Sequence, residues 1–287
     1  MTIKDYAKLL IPPILIHCYR ALLNGIKNSK LANYNIFLNH DLLLSGDYPT
    51  WSSAVDDSTG YETEIILEKT KVALLKVKNG KAEFERDSFL LNEIQYSWPL
   101  LAGLLSVAAR CQGTLNVLDF GGSLGSTYFQ NRKFLSQLCE VRWNIIEQPH
   151  YVEVGKEMFE DSHLRFYYTI ADCLVETRPN VVLLSGVLQY LEQPFEVLGE
   201  VLRVPCDNLI IDRTPFWAGS ADRLCVQHVP AEIYPASYPS WIFSTDNFIA
   251  KLNAPWKIVA EFTAIDKFPA PVETSYKGLI ATRQNNL

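Results

Sequence analysis

The sequence has no Cys-x-x-Cys pair and no grouping of His and Cys at zinc-ligand spacing, so neither marks a metal site. Its six cysteines, Cys18, Cys111, Cys139, Cys173, Cys206 and Cys225, are scattered, a pattern expected of reduced, mostly buried thiols in a cytoplasmic protein. It has no run of basic residues, and a formal net charge of -6 argues against general affinity for nucleic-acid phosphate. It has no internal repeat and no low-complexity segment. It also lacks an apolar run long enough to span a bilayer. The nearest approach, "YAKLLIPPILIHCYRALL" (6–23), is interrupted by Pro12 and Pro13, bounded by Arg20 and lysines, and carries no small-residue cleavage site. It reads as a helix docked on the protein's own core or on a partner subunit. A weak contact with a membrane surface, as an amphipathic helix, is the alternative. The oligomeric state stays open, with a homodimer among the options.

What is present is enough for a full core: 287 residues, 48% of them hydrophobic, suffice for one large domain or for a domain with a sizeable cap. The first part reads as a mainly helical cap (1–95). Within it, 45–61 is a loop with a short helix, and 63–77 has helical spacing of apolar residues. The stretch 86–110 reads as a long apolar helix bent near Pro99. From Leu115 onward short apolar runs alternate with helical segments. Candidate strands are 115–120, 142–147, 164–168, 181–185 and 208–212, with a crossover helix's length between most of them. Such alternation predicts a parallel sheet covered on both faces. Two later runs, 256–265 and 276–283, predict an antiparallel pair at one edge. The expected fold is α/β and Rossmann-like, with seven mostly parallel strands and a terminal antiparallel hairpin. This second domain (96–287) carries a Pro- and aromatic-rich insertion at about 214–243, read as a lid.

The loop after the first of these strands carries the chemistry. "VLDFGGSLGSTYF" (117–129) ends a strand at Asp119 and brings Gly121, Gly122, Ser123 and Gly125 before a helix. A dinucleotide loop, G-x-G-x-x-G, fails here: from Gly121 the third position is Ser123 and the sixth Ser126. A P-loop fails too, because Gly125 is followed by Ser126 and Thr127 rather than by a Lys-Ser or Lys-Thr pair. A carboxylate is a poor neighbour for a pyrophosphate and a good one for a cation. S-adenosylmethionine, with its sulfonium and α-ammonium groups, therefore suits Asp119, and the glycines let the backbone approach it closely. Glu147 ends the second strand, 22 residues beyond Gly125, where a carboxylate can accept from two ribose hydroxyls. Gln148 follows it. Asp172 and Cys173, after the third strand, are candidates for the adenine end. Ser185 and Gly186 close the fourth strand.

"VLDFGGSLG", "WNIIEQ" and "VVLLSGVLQYLEQP", in that order, resemble the successive motifs of class I S-adenosylmethionine-dependent methyltransferases, over roughly residues 100 to 287. The resemblance implies that Asp119, Gly121, Ser123 and Gly125 wrap the methionine end, with Ser123 replacing the family's usual middle glycine. It places Glu147 at the ribose, S-adenosylhomocysteine as product, and no metal. A narrower resemblance, through "GDYPTWSSAVDDSTGY", "DRTPF" and "VQHVPAEIYPASYPSW", is to a family of bacterial methyltransferases found with surface-polysaccharide or specialised-metabolite genes.

Residues for the methyl acceptor are sought after the fifth strand. Asp212 and His228 are the candidate proton acceptors. Tyr190, Arg213, Thr214, Tyr234, Tyr238 and Trp241 are candidate substrate contacts, with Tyr48 and Trp51, alongside Tyr61, closing from the N-terminal part. His17, His40, His150 and His163 have no partner pattern. The expected function is methyl transfer to an oxygen or nitrogen of a small molecule, either a specialised metabolite or a glycan sugar. Two alternatives remain: another nucleotide-dependent Rossmann-type enzyme, such as a reductase or sugar-nucleotide enzyme, and a non-catalytic cofactor-binding module.

Overall fold

The computed structural model describes residues 43–60, 63–86, 88–229, 236–252, 255–266 and 269–284. The first apolar stretch, His17, Cys18, His40, Tyr61 and Tyr234 lie outside the described residues. In chain order the elements are β1 (Leu43–Ser45), α1 (Trp51–Asp56), α2 (Thr63–Lys78), β2 (Phe84–Arg86), β3 (Phe89–Leu91), α3 (Trp98–Arg110) and β4 (Thr114–Phe120). Then come α4 (Ser126–Leu135), β5 (Glu140–Ile146), α5 (Pro149–Met158), β6 (Leu164–Tyr167), α6 (Ile170–Glu176), β7 (Val181–Ser185), a 3-10 turn (Leu188–Tyr190) and α7 (Pro194–Arg203). The last are β8 (Asn208–Trp217), β9 (Arg223–Val229), β10 (Ala236–Ser244), α8 (Thr245–Lys251), β11 (Trp256–Thr263) and β12 (Ser275–Arg283).

Seven strands form the expected sheet, in the order β6-β5-β4-β7-β8-β12-β11. The first five are parallel, and β12 runs antiparallel between β8 and β11. Period-two alternation divides their side chains between two apolar layers. Val117, Ile145, Leu183 and Ile210 face one layer, covered by α2, α3, α4 and α5. Leu118, Ile146, Leu184 and Ile211 face the other, covered by α7 and α8. Both faces are buried, which is why these strands read as continuous apolar runs rather than alternating ones.

Two parts of the chain differ from the sequence reading. The segment 86–110 is not one bent helix: Phe89–Leu91 pairs with Phe84–Arg86 in a two-stranded ribbon, and helix begins only at Trp98. Pro99 stands in the first turn, where its missing N–H costs nothing, while farther into a helix it would break the hydrogen-bond ladder. Within the segment read as a lid, most of the described residues lie in strands. β8 runs on past the end of β7, and its Phe216 and Trp217 pair with Phe243 and Ser244 of β10. β10 pairs antiparallel with β9, and β9 with β1, so the sheet has ten strands among the described residues, apart from the β2-β3 ribbon.

At the amino ends of the parallel strands a row of asparagines links four segments. Asn144 Nδ2 donates to Asn116 Oδ1 at 2.8 Å, and Asn116 Nδ2 donates to Thr177 Oγ1 at 2.6 Å. Asn180 Oδ1 accepts from Asn116 N at 2.9 Å, and Asn208 Nδ2 donates to Asn180 O at 2.8 Å. Asn116→Ala removes one of two acceptors of the buried Asn144 amide, which keeps its bond to Val117 O at 2.8 Å, and takes a donor from Thr177 Oγ1 and Arg178 O. The expected loss is about 2–3 kcal/mol of stability, read from urea unfolding curves.

Candidate active site

From β4 the chain crosses outward through β5 and β6, then returns to lay β7 on the other side of β4. The carboxyl ends of β4 and β7 therefore flank the point where strand order reverses, the usual ligand position in an open α/β sheet. The glycine loop leaves β4 there. Gly121 N donates to Ile146 O at 2.9 Å, so the loop is tied to the end of β5. Gly125, at φ +101, caps α4. A Cβ on Gly122 would lie 2.5 Å from the Asp119 carboxylate. Backbone thus closes over the acid as nearly as atoms allow. Gly122→Ala is expected to displace Asp119 and weaken S-adenosylhomocysteine binding at least tenfold, as measured by calorimetry.

Asp119 is 1% exposed. Trp143 Nε1 donates to its Oδ2 at 2.8 Å, while Oδ1 has no hydrogen-bond partner among the described residues. Burial pushes its carboxyl up to about 7, against the Trp143 hydrogen bond that favours the ionised form, and the nearby Glu147 adds to the rise. The Glu147 carboxylate is half-buried at the end of β5. It accepts from Ser123 N at 3.2 Å and from Gln148 N at 2.8 Å, and burial raises it also. Asp119, the loop 121–125, Glu147 and Gln148 form one connected group. Val187, just past Ser185 and Gly186, sits where a Cβ on Gly121 would be, so the turn after β7 belongs to the same wall.

Asp172 lies in the first turn of α6 rather than in a loop. It is exposed, and its carboxylate accepts from Thr169 Oγ1 at 2.7 Å. Cys173, one residue on, is in the core, where burial raises its thiol to about 12.

A second group gathers at the end of the parallel part of β8. Asp212 is 2% exposed and pairs with Ser185, and its carbonyl accepts from Gly186 N at 3.0 Å. Its Oδ1 accepts from Arg213 N at 2.9 Å, and the Ser97 side chain also hydrogen-bonds to it. Burial raises its carboxyl to about 6, with the Arg213 charge opposing that rise. Arg213 has φ +56, a strained value for a residue with a side chain. Its guanidinium contacts Asp266 at 3.2 Å, and Asp266 also takes Arg86 Nη2 at 2.6 Å. Those two arginines outweigh burial and hold Asp266 down at about 2. Thr214 is buried, its Oγ1 donating to Asp212 O at 3.2 Å. The ribbon adds a further tie to the glycine loop: Glu85 accepts from Ser126 Oγ at the start of α4.

The remaining candidates lie on the β1-β9-β10 extension. Tyr190 Oη donates to Gln227 Oε1 at 3.0 Å, and its ring meets Tyr238 edge-on at 5.4 Å. Tyr48, Trp51 and Trp241 pack around Ala54, Leu224 and Val226, with the two indoles stacked at 6.3 Å. Trp241 Nε1 donates to Leu191 O at 3.0 Å. His228 is exposed and 2.9 Å from Ser45 Oγ, and the pleat sends it to the face opposite Gln227. The geometry therefore places Asp212, not His228, beside the crevice. His150 and His163 lie near the start of α5 and just before β6.

Sequence reasoning missed Trp143, Glu85, Arg86, Ser97, Gln189, Gln227, Asp266 and Tyr276. Only strand register brings the Trp143 indole to Asp119, although a tryptophan among the buried positions of a strand signals an N–H needing an acceptor. Asp266 lies far along the chain from both its arginines and leaves no local signal.

No protein-family model matches the chain, and no curated protein sequence does. Solved structures do match. The N-terminal domain of EvdMO1, determined in the presence of S-adenosylhomocysteine and D-fucose, is similar at 12% identity. That match covers 78% of this chain and 98% of that one, with a TM-score of 0.46. An S-adenosylmethionine-dependent methyltransferase from Clostridium acetobutylicum is similar at 8% identity, over 67% of this chain and 93% of the other, with a TM-score of 0.45. The cyclase SpnF is similar at 15% identity, over 76% and 94%, with a TM-score of 0.44. At such scores the function has to be argued from the chain's own residues.

Proposed function

We propose that the chain is an S-adenosylmethionine-dependent methyltransferase acting on an oxygen or nitrogen of a small molecule. One observation carries the reading: a buried carboxylate with one oxygen that has no hydrogen-bond partner among the described residues, under a loop closed to anything but backbone, at the switch point of the sheet. An unpaired buried carboxylate is costly, and a cationic ligand relieves that cost. A pyrophosphate would aggravate it. Glu147, tied to the loop by Ser123 N, keeps acceptor capacity for ribose hydroxyls, since a carboxylate offers about four lone-pair sites.

When bound, S-adenosylmethionine supplies a methyl group on a cationic sulfur. The protein's task is then alignment, exclusion of water and removal of a proton. Asp119 Oδ1 holds the ammonium end. Val187, against Gly121, fixes the turn after β7. Asp212, oriented by Arg213 N and Ser97, takes the proton from a hydroxyl or protonated-amine acceptor. With its carboxyl raised to about 6 it is ionised at neutral pH yet basic enough to accept. The transfer rate is expected to climb as pH rises through about 6.

The test is incubation with methyl-labelled S-adenosylmethionine and fractionated small-molecule extracts. Label should enter an acceptor. Asp212→Asn should slow transfer about 100-fold while leaving S-adenosylhomocysteine affinity within about twofold. Cofactor binding without transfer to any fraction would instead indicate a binding module without chemistry.

A further inference from the structure

We propose that the acceptor is an uncharged, polyhydroxylated ring, a sugar unit, held between the β9–β10 face and the end of β8. This rests on the methyltransferase reading and names the class of its second substrate. Tyr238 pairs with Gln227, and Ser240 with Cys225. Directly opposed residues share a face, as do residues two apart, so all four side chains point the same way. Tyr190 shows where that face looks: it touches both Gln227 and Tyr238 from the turn after β7. From β12, Tyr276 adds a third phenol, close enough to Tyr190, Arg213, Asp266 and Cys225 to respond to each electrostatically.

Gln189 Oε1 and Ser240 Oγ are buried and have no hydrogen-bond partner among the described residues. Gln189 is 2% exposed and Ser240 0%. The amide's orientation is set by its other end, because Gln189 Nε2 donates to Arg213 O at 3.1 Å. Its carbonyl is therefore the end left over, and an orphaned buried acceptor calls for a donor.

The charges nearby are already answered. Arg86 and Arg213 share Asp266, and the Arg213 charge also opposes that of Asp212. Two cations thus meet two anions. Among the described residues, a carboxylate, phosphate or ammonium finds no spare counter-charge here. Hydroxyl groups find an amide acceptor, a serine that both gives and accepts, and the half-buried phenol rings of Tyr190 and Tyr238, whose faces suit the C–H side of a sugar.

The experiment uses the full chain. S-adenosylhomocysteine is titrated first, and its failure to bind would strike the methyltransferase reading itself. Saturation-transfer NMR is then run on the loaded protein with the methyl glycosides of glucose, galactose, mannose and xylose, and with glucuronate and glucosamine. At least one neutral glycoside should bind, about tenfold or more tighter than either charged sugar. Ser240→Ala and Gln189→Met should each weaken it about fivefold or more, with S-adenosylhomocysteine affinity unchanged. The proposal is overturned if no neutral glycoside binds, if a charged sugar binds tighter, or if Ser240→Ala binds as the parent does.

Discussion

Asp119→Asn is expected to make the ligand-free protein more stable at pH 8 and to abolish its affinity for S-adenosylhomocysteine. The two effects have one cause. The folded carboxyl titrates near 7, against 3.8 for an ordinary aspartate. A raised folded value means that the native state binds the proton more tightly than the unfolded chain. Stability from this group is therefore complete below about pH 4 and is lost as pH rises through 7. The cost above pH 7 is on the order of 4 kcal/mol. Asparagine keeps the shape and can still accept from Trp143, but buries no charge. Its own unpaired N–H returns part of the gain, leaving about 2 kcal/mol, or a Tm about 5 °C higher at pH 8. At pH 4 the parent carboxyl is protonated and regains that stability, so the order reverses and the variant should melt about 5 °C lower than the parent. The same change removes the charge facing the ligand's ammonium, and a loss of about 100-fold or more follows. A residue that only supported the fold would lose stability and affinity together. Opposite signs are the mark of a carboxylate kept for a cation.

The second large effect is expected at Asp266. Asp266→Asn should cost about 3–5 kcal/mol at pH 7, because buried Arg86 and half-buried Arg213 lose their shared anion. The pH dependence has the opposite sense to that of Asp119. The Asp266 carboxyl is held at about 2, below its ordinary 3.8. Its contribution is present above pH 4 and is lost between about pH 4 and pH 2, by about 2 kcal/mol. Urea unfolding from pH 7 down to pH 2 should show that step in the parent and not in the variant. Since Asp266 also holds Arg213 over Gly186, the variant should weaken S-adenosylhomocysteine binding even where it remains folded.

Much of this was readable in the sequence because it is local. Val117 to Gly125 announces strand, acid and tight turn within nine residues, and the seven strands of the main sheet follow from apolar runs of the right length. What was not readable depends on register. Trp143 and Asp119 are far apart in sequence and meet because β5 lies beside β4. Arg86 and Asp266 are 180 positions apart. The β9–β10 pair was hidden by its own composition. Pro239 stands inside β10, opposite Val226, and prolines and aromatics over that stretch read as a loop. Its assembly onto the tail of β8 could not be seen from periodicity. Pro99 misled in the other direction, since a proline in an apolar stretch can bend a helix or start one.

The central claim is that the glycine loop and its buried acid select a cationic methyl donor over a phosphorylated carrier. Isothermal titration of the full chain with S-adenosylhomocysteine and, separately, with NADH tests it most directly. Saturable binding of S-adenosylhomocysteine, lost in Asp119→Asn, with no heat from the dinucleotide, is the predicted result. Binding of NADH alone, or equal binding of S-adenosylhomocysteine by the parent and by Asp119→Asn, would contradict it.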